Sequence, residues 1–198
     1  AALRPWARVL GWLLLVYIVI YQLRGPVRLD AARADKLAQI QSQRHARVIA
    51  LIHRQDTYAL FGVPVGSAIS IEDSEAILRA VRLTPGDRPI DLILHTPGGV
   101  LLAAEQISRA LVGHRGQVTV FVPHYAMSGG TLLALAADRI VMDANAVLGP
   151  VDPQIDDVPA ASIVRLLEFK HVTQISDEML LRIDIATKAR AQVAQFVE

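Results

Sequence analysis

The chemically most suggestive stretch of the chain is AMSGGTLLALAAD, Ala126 to Asp138. Ser128 stands where an apolar, strand-like run gives way to a short apolar helix, and Gly129 and Gly130 follow it. A hydroxyl in that place has two uses. It can cap the helix by accepting from the first free N–H groups. It can also be a nucleophile exposed on the turn, with the helix N-terminus stabilising the negative charge that attack creates. Taken alone, the turn fits the cap better.

A second turn of the same build lies upstream, HTPGG, His95 to Gly99. In both places a strand delivers glycines to the start of a helix. The first turn of a helix leaves its N–H groups unpaired. A glycine there has no Cβ to keep a substrate from the backbone. Two such turns side by side can build a site for a developing oxyanion.

The elements that must carry these turns alternate. ARVIALIHR (46–54) is expected as a buried strand, and SIEDSEAILRAVRL (70–83) as an amphipathic helix. Ser70 fits its N-cap, Glu72, Asp73 and Glu75 suit its positive end, and Ile71, Ile77, Leu78 and Val81 form its apolar side. RPIDLILHTPGG is a second strand, followed by a helix over 100–114 with Leu101, Ile107 and Leu111 facing inward. QVTVFVPHY is a third strand, 128–138 the third helix, and RIVMD a short fourth strand. Residues 145–160 read as loop. The tail reads as two helices split near 172–177, the last opened by Asp177 and Glu178. This alternation calls for an α/β domain with a largely parallel sheet. No repeat or low-complexity tract interrupts it.

The span from Asp91 to Gln154 resembles the ClpP/crotonase fold, a repeated β-β-α superhelix, and within it the SppA-like serine peptidases. It is most similar to the branch called serine dehydrogenase proteinases. The resemblance rests on DLILHTPGG, on MSGGTLLALAADRIVMDANAVLGPVDPQ and on an apolar N-terminal segment, and it covers about residues 46–192. It implies that Ser128 is the nucleophile of peptide hydrolysis. It likewise implies that Gly98, Gly99 and Gly129 supply the oxyanion hole.

The general base is less direct. ClpP-type members carry a His in the loop that here reads GPVDPQ, which has none. The resemblance to SppA-like members implies a Ser-Lys dyad instead, with the Lys farther downstream. Two lysines qualify, Lys170 in RLLEFKHV and Lys188 in IDIATKARAQ. Lys170 matches the family placement better, and burial among Leu166, Leu167 and Phe169 would lower its pKa toward neutrality. Lys188 and His171 stay open as alternatives. His95 is expected as a hydrogen-bonded core histidine. His124 is divided between positioning the serine turn and packing, while His45, His53 and His114 mark element ends.

The resemblance implies a peptide or protein substrate, no cofactor, and a homo-oligomer that encloses the sites. Two other readings use the same fold. One is a crotonase-like acyl-CoA enzyme, in which paired N–H groups hold a thioester enolate; the serine and the apolar segment argue against it. The other is a catalytically silent oligomeric membrane scaffold. No HExxH, EF-hand, GxGxxG or Walker pattern is present, so metal and nucleotide sites have no sequence support.

Composition bounds the rest. The chain has 198 residues, 53% of them hydrophobic, with a net charge of +1 and no Cys. That supports a sizeable core, gives no case for a nucleic-acid partner, and removes disulfides and thiolate sites. Residues 5–23, from Pro5 to Leu23, reach the length of a membrane-spanning helix, with Trp6, Trp12, Tyr17 and Tyr21 suited to the headgroup level. A cleaved signal peptide fits less well, because the run ends in bulky, basic YQLRGPVR; a buried helix is the third option. Lys and Arg are denser after the run, which favours a single-pass anchor with a cytoplasmic globular domain. The expected organisation is therefore an anchor over 1–28, a helical linker over 29–45 and a peptidase-like domain over 46–198. The last of these is expected to be incomplete at its C-terminal end.

Overall fold

The computed structural model describes residues 4–53, 58–60, 63–65 and 68–197, with side chains at 11–17, 30–53 and 68–195. The chain divides into two compact units, Ala1–His45 and Ala46–Glu198. The first contains one long helix, α1 (Arg4–Arg44). Its C-terminal part is the polar, Gly- and Pro-free stretch expected to be helical. Among the described residues no helix is long and apolar enough to cross a membrane. The run 5–23 expected to do so lies mostly outside the residues whose side chains are described.

The second unit is built on four parallel strands, β1 (Arg47–Ile52), β4 (Ile90–His95), β5 (Val118–Val122) and β7 (Arg139–Met142), in the order β1-β4-β5-β7. The register sets Val48 against Asp91, Ile90 against Val118 and Val120 against Ile140. Ile90, Leu92, Leu94, Val120 and Val122 are wholly buried. A central parallel strand covered on both faces reads as a near-continuous apolar run, and β4 and β5 do. A hairpin of β2 (Tyr58–Leu60) and β3 (Val63–Val65) precedes the first helix of this unit.

Each main strand except the last is followed by a short extended segment and then a helix. After β1 the segment is Ile69, leading into α2 (Ile71–Arg82). After β4 it is Thr96–Gly99, leading into α3 (Leu101–Val112). After β5 it is β6 (Tyr125–Ala126), leading into α4 (Gly129–Leu135). After β7 it is β8 (Val147–Leu148). These segments form a second parallel ladder: Ile69 bridges Gly99, Thr96 bridges Ala126, and β6 pairs with β8. The expected β-β-α repeat is therefore present, and its second ladder lines up the two glycine turns.

The helices follow their sequence signals. Ser70 caps α2 in a reciprocal box with Asp73, leaving both orphan N–H groups satisfied. Ile77 and Val81 are buried, whereas Ile71, expected on the apolar side, is exposed at the first helical position. In α3, Ala103, Ala104, Ile107 and Leu111 are buried, and in α4 every residue from Gly129 to Ala134 is. The stretch 145–160, expected as loop, also holds β8 and a small antiparallel pair, β9 (Gln154–Ile155) and β10 (Val158–Pro159). The tail contains α5 (Ala160–Val164), α6 (Leu166–Phe169), a 3-10 turn at Val172–Gln174 and α7 (Asp177–Val197). Ala160 and Ile163 of α5 pack with Ile183 and Ala186 of α7 in a separate small core.

Candidate active site

Ser128 occupies the N-cap position of α4 but does not cap it. Its side chain makes no cap hydrogen bond, and its backbone sits at φ 49°, ψ −119°. A non-glycine residue at that φ is strained by about 1–3 kcal/mol. The strain is held by the backbone around it. Gly130 N–H donates to Met127 O at 2.8 Å and Thr131 N–H to Ser128 O at 2.9 Å. The Thr131 hydroxyl lies 2.9 Å from the carbonyl oxygens of both Ala126 and Gly149 and shares its one proton between them. A strained serine on a sharp strand-to-helix turn is the arrangement that exposes a nucleophilic oxygen. The capping reading of this residue is thereby set aside.

The neighbouring turn is fixed from both sides. The Gly98 carbonyl accepts from Ile69 N–H at 2.7 Å, and Val100 N–H donates to Ile69 O at 2.8 Å. In a trans peptide the C=O and the following N–H point in opposite directions. With Gly98 O turned to Ile69, the Gly99 N–H is turned the other way, toward the serine turn. Gly98 and Gly99 lie at φ 106° and 153°, which only glycine adopts without strain. A Cβ on Gly99 would run into the Ile69 backbone. A Cβ on Gly129 would sit 3.9 Å from the Gly99 nitrogen, so the two glycines are neighbours. Neither the Gly99 nor the Gly129 N–H has a hydrogen-bond partner among the described residues. Gly98 differs from them, because its N–H donates to Thr96 Oγ1 at 3.1 Å.

Ser128, Gly99 and Gly129 open onto one cleft of about 500 Å³. Pro97 and Leu101 complete its floor, Val151 to Ile155 form one wall, and Ala189 and Val193 of α7 form the other. Gln192 of α7 donates to Glu105 of α3 at 2.8 Å, which ties that wall to the floor. The GPVDPQ loop is therefore a cleft wall. Among its polar side chains, Asp152 accepts from Ala161 N–H at 3.3 Å.

The lysines expected near the serine do not line this cleft. Lys170 follows α6 and is exposed. The burial expected around it is found only in part, at Leu166, which packs against the small core of α5 and α7; Leu167 and Phe169 are 44% and 69% exposed. The reason is that α6 has only four residues and none of them is fully buried. Lys188 is exposed on α7 and paired with Asp184 at 2.6 Å. His171 is exposed and bonded to Thr173 at 3.0 Å.

Two histidine groups flank the glycine turn. His95 stacks on His124 with ring centres 5.6 Å apart and lies against Tyr125 at 4.2 Å. The hydrogen-bonded state expected for His95 is not found, since its buried Nδ1 has no partner among the described residues. Burial, then the nearby His124 and His53, hold its pKa below the usual histidine value. His53, read from the sequence as an element end, is buried and bonds Thr96 Oγ1 at 2.8 Å. Among the described residues no group of His, Asp or Glu is arranged to hold a metal ion.

Comparison with known proteins adds the following. Residues 3–198 match the family model described as ClpP-like SDH-type serine proteinase. Two uncharacterized proteins of Methanocaldococcus jannaschii are 53% identical over 186 residues and 56% identical over 161 residues. These alignments cover 94% and 81% of this chain, and 65% and 55% of the relatives' own lengths. The chain thus spans less than two thirds of either relative. Among solved structures, the membrane-bound stomatin-specific protease 1510-N, in complex with a substrate peptide, aligns at a TM-score of 0.43 with 23% identity over 52% of each chain.

Proposed function

Because the chain belongs to the ClpP-like SDH-type serine proteinases, we propose that it hydrolyses peptide bonds with Ser128 as nucleophile. One observation carries the reading. Ser128 is held in a strained backbone conformation, makes no capping bond, and opens on a cleft beside two N–H groups that have no partner among the described residues. Attack of Oγ on the scissile carbonyl would place negative charge on one oxygen. The Gly99 and Gly129 N–H groups are suited to hold it. Gly98, also expected in the hole, contributes the close packing that sets Gly99 in place.

The proton of Ser128 goes to Lys170 in this reading, and Lys170 later gives it to the leaving amine. Geometry without substrate does not disqualify a base that stands off. The segment carrying Lys170 exposes Leu167, Phe169 and Val172. Apolar side chains left in solvent favour a state in which that segment is covered, by substrate or by another copy. Homo-oligomers are proposed on the same ground. Ile140, Val141 and Met142 of the edge strand β7 are each more than a third exposed. The N-terminal run 5–23 is proposed as a single-pass membrane anchor with the second unit on the cytoplasmic side. An extended peptide in the cleft would lie along the 151–155 wall.

The test is cleavage of fluorescein-labelled casein by the full chain and by Ser128→Ala. The expected result is loss of cleavage in a variant with unchanged circular dichroism. Cleavage retained in Ser128→Ala would overturn the assignment. It would leave the silent scaffold or the acyl-CoA reading, the latter checked by binding of acetyl-CoA.

A further inference from the structure

We propose that Asp73, His53 and Thr96 form a one-way hydrogen-bond relay that fixes the oxyanion turn, making them positioning residues for the reaction at Ser128. The inference rests on the peptidase reading and extends it to residues that touch no substrate.

The contacts are continuous. Gly98 N–H donates to Thr96 Oγ1 at 3.1 Å. Thr96 Oγ1 lies 2.8 Å from His53 Nδ1. His53 Nε2 lies 3.3 Å from Asp73 Oδ2. Asp73 Oδ2 is in turn held by the Ser70 N–H at 2.8 Å and the Ser70 hydroxyl at 3.0 Å. Thr96 is wholly buried and His53 is 6% exposed, so water does not compete for the bond between them, while Asp73 sits at the partly exposed end of the chain of contacts.

The direction of the relay follows from the inventory of donors. A carboxylate only accepts, so the His53 proton belongs on Nε2, facing Asp73. Nδ1 is then an acceptor, and the Thr96 hydroxyl gives it its one proton. The lone pairs of Thr96 Oγ1 are left for the Gly98 N–H. Every proton thus points from Gly98 toward Asp73. The competing arrangement turns the Thr96 hydroxyl to the Gly98 carbonyl at 3.3 Å, a longer contact onto an oxygen that Ile69 N–H already serves at 2.7 Å.

The consequence for the site is geometric. Gly98 has its N–H tied to Thr96 and its C=O tied to Ile69. The peptide linking Gly98 to Gly99 is therefore fixed in orientation, and with it the Gly99 N–H. Thr96 is itself wedged, because a Cβ on Gly130 would come within 2.5 Å of its Cγ2. The hydroxyl thus faces the relay while the methyl faces the serine turn. Without the relay, a turn of two glycines has the backbone freedom to rotate its donor off the oxyanion.

Two measurements on the full chain test this. The first needs no activity: a long-range 1H–15N spectrum of 15N-histidine-labelled protein reads the His53 tautomer. The expected state carries the proton on Nε2 only. A proton on Nδ1 reverses the relay and overturns the proposal. The second is fluorescein-casein hydrolysis by the parent, Thr96→Val, Thr96→Ser and Ser128→Ala. Thr96→Val should lower kcat about 10- to 100-fold with KM little changed, since a misplaced donor weakens the transition state alone. Thr96→Ser, which keeps the hydroxyl, should recover most of kcat. If cleavage depends on Ser128 and Thr96→Val keeps the parental kcat, the relay fails and the peptidase reading stands. If Ser128→Ala still cleaves, the peptidase reading fails, and with it the relay's catalytic role.

Discussion

Gly98 and Ser128 are packed so closely that a Cβ added to Gly98 would lie 2.8 Å from the Ser128 Cβ and 3.0 Å from the Met127 carbonyl oxygen. Neither turn can therefore move without the other. The two strand ends, separated by a whole β-α unit, thus present a single surface to the cleft. In Gly98→Ala the added methyl must displace the serine turn, and the φ of 106° adds strain. The expected cost is about 1–3 kcal/mol of stability, read as a shift in the denaturant midpoint. The kcat for casein should fall further than Thr96→Ser lowers it.

Ser128 itself gives an opposite pair of signs. Its φ of 49° is strained for serine and easy for glycine. Ser128→Gly should raise stability by about 1 kcal/mol, the relief of strain less the extra freedom of an unfolded glycine. Ser128→Ala keeps the strain and should leave the midpoint nearly unchanged. Both should abolish cleavage. A stabilised, inactive glycine variant beside an unshifted alanine variant would mark strain stored for function, and denaturant titrations of the three proteins decide it.

His95 makes a pH prediction. Burial, then the charges of His124 and His53, hold its pKa below the usual value. Between that lowered folded value and the ordinary one, about 6.5, the unfolded chain binds the proton more readily. Stability then rises with pH across this window and falls on acidification through it. Urea midpoints measured from pH 7.5 down to pH 5 should fall less steeply in His95→Gln than in the parent, and equal slopes would refute the assignment.

What was legible in the sequence was local. The Ser70–Asp73 box lies within four residues, and the capping pattern announces it. The strands β1, β4, β5 and β7 announce themselves as apolar runs, and the two glycine turns by composition. The relay was not legible, because His53 and Thr96 are 43 positions apart and meet only once β1 and β4 pair in register. The short strands β6 and β8 were missed as well. Two-residue ladders have no periodicity and exist only because the main sheet places them side by side. The surroundings of Lys170 illustrate the converse. Three large apolar neighbours suggest burial, but in a four-residue helix only Leu166 reaches the small core of α5 and α7, and Leu167 and Phe169 are left exposed.

The Lys188 amine is 2.6 Å from Asp184 in an exposed i,i+4 pair, with the lysine side chain 75% exposed. Such a pair is worth about 0.3–0.5 kcal/mol, and Lys188 does not line the cleft. Lys188→Ala should therefore shift the denaturant midpoint slightly and leave kcat close to the parent's. Lys170 has no such partner among the described residues. Its segment exposes Phe169 and Val172, which substrate or a second copy can cover. Covering them would enclose the amine with the reacting atoms, where it can serve as the general base. Lys170→Ala should then lower kcat for casein about 10²- to 10⁴-fold, the usual contribution of a general base, with little change in the midpoint. His171→Ala should do neither. Parental kcat in Lys170→Ala, with cleavage still dependent on Ser128, would move the base elsewhere.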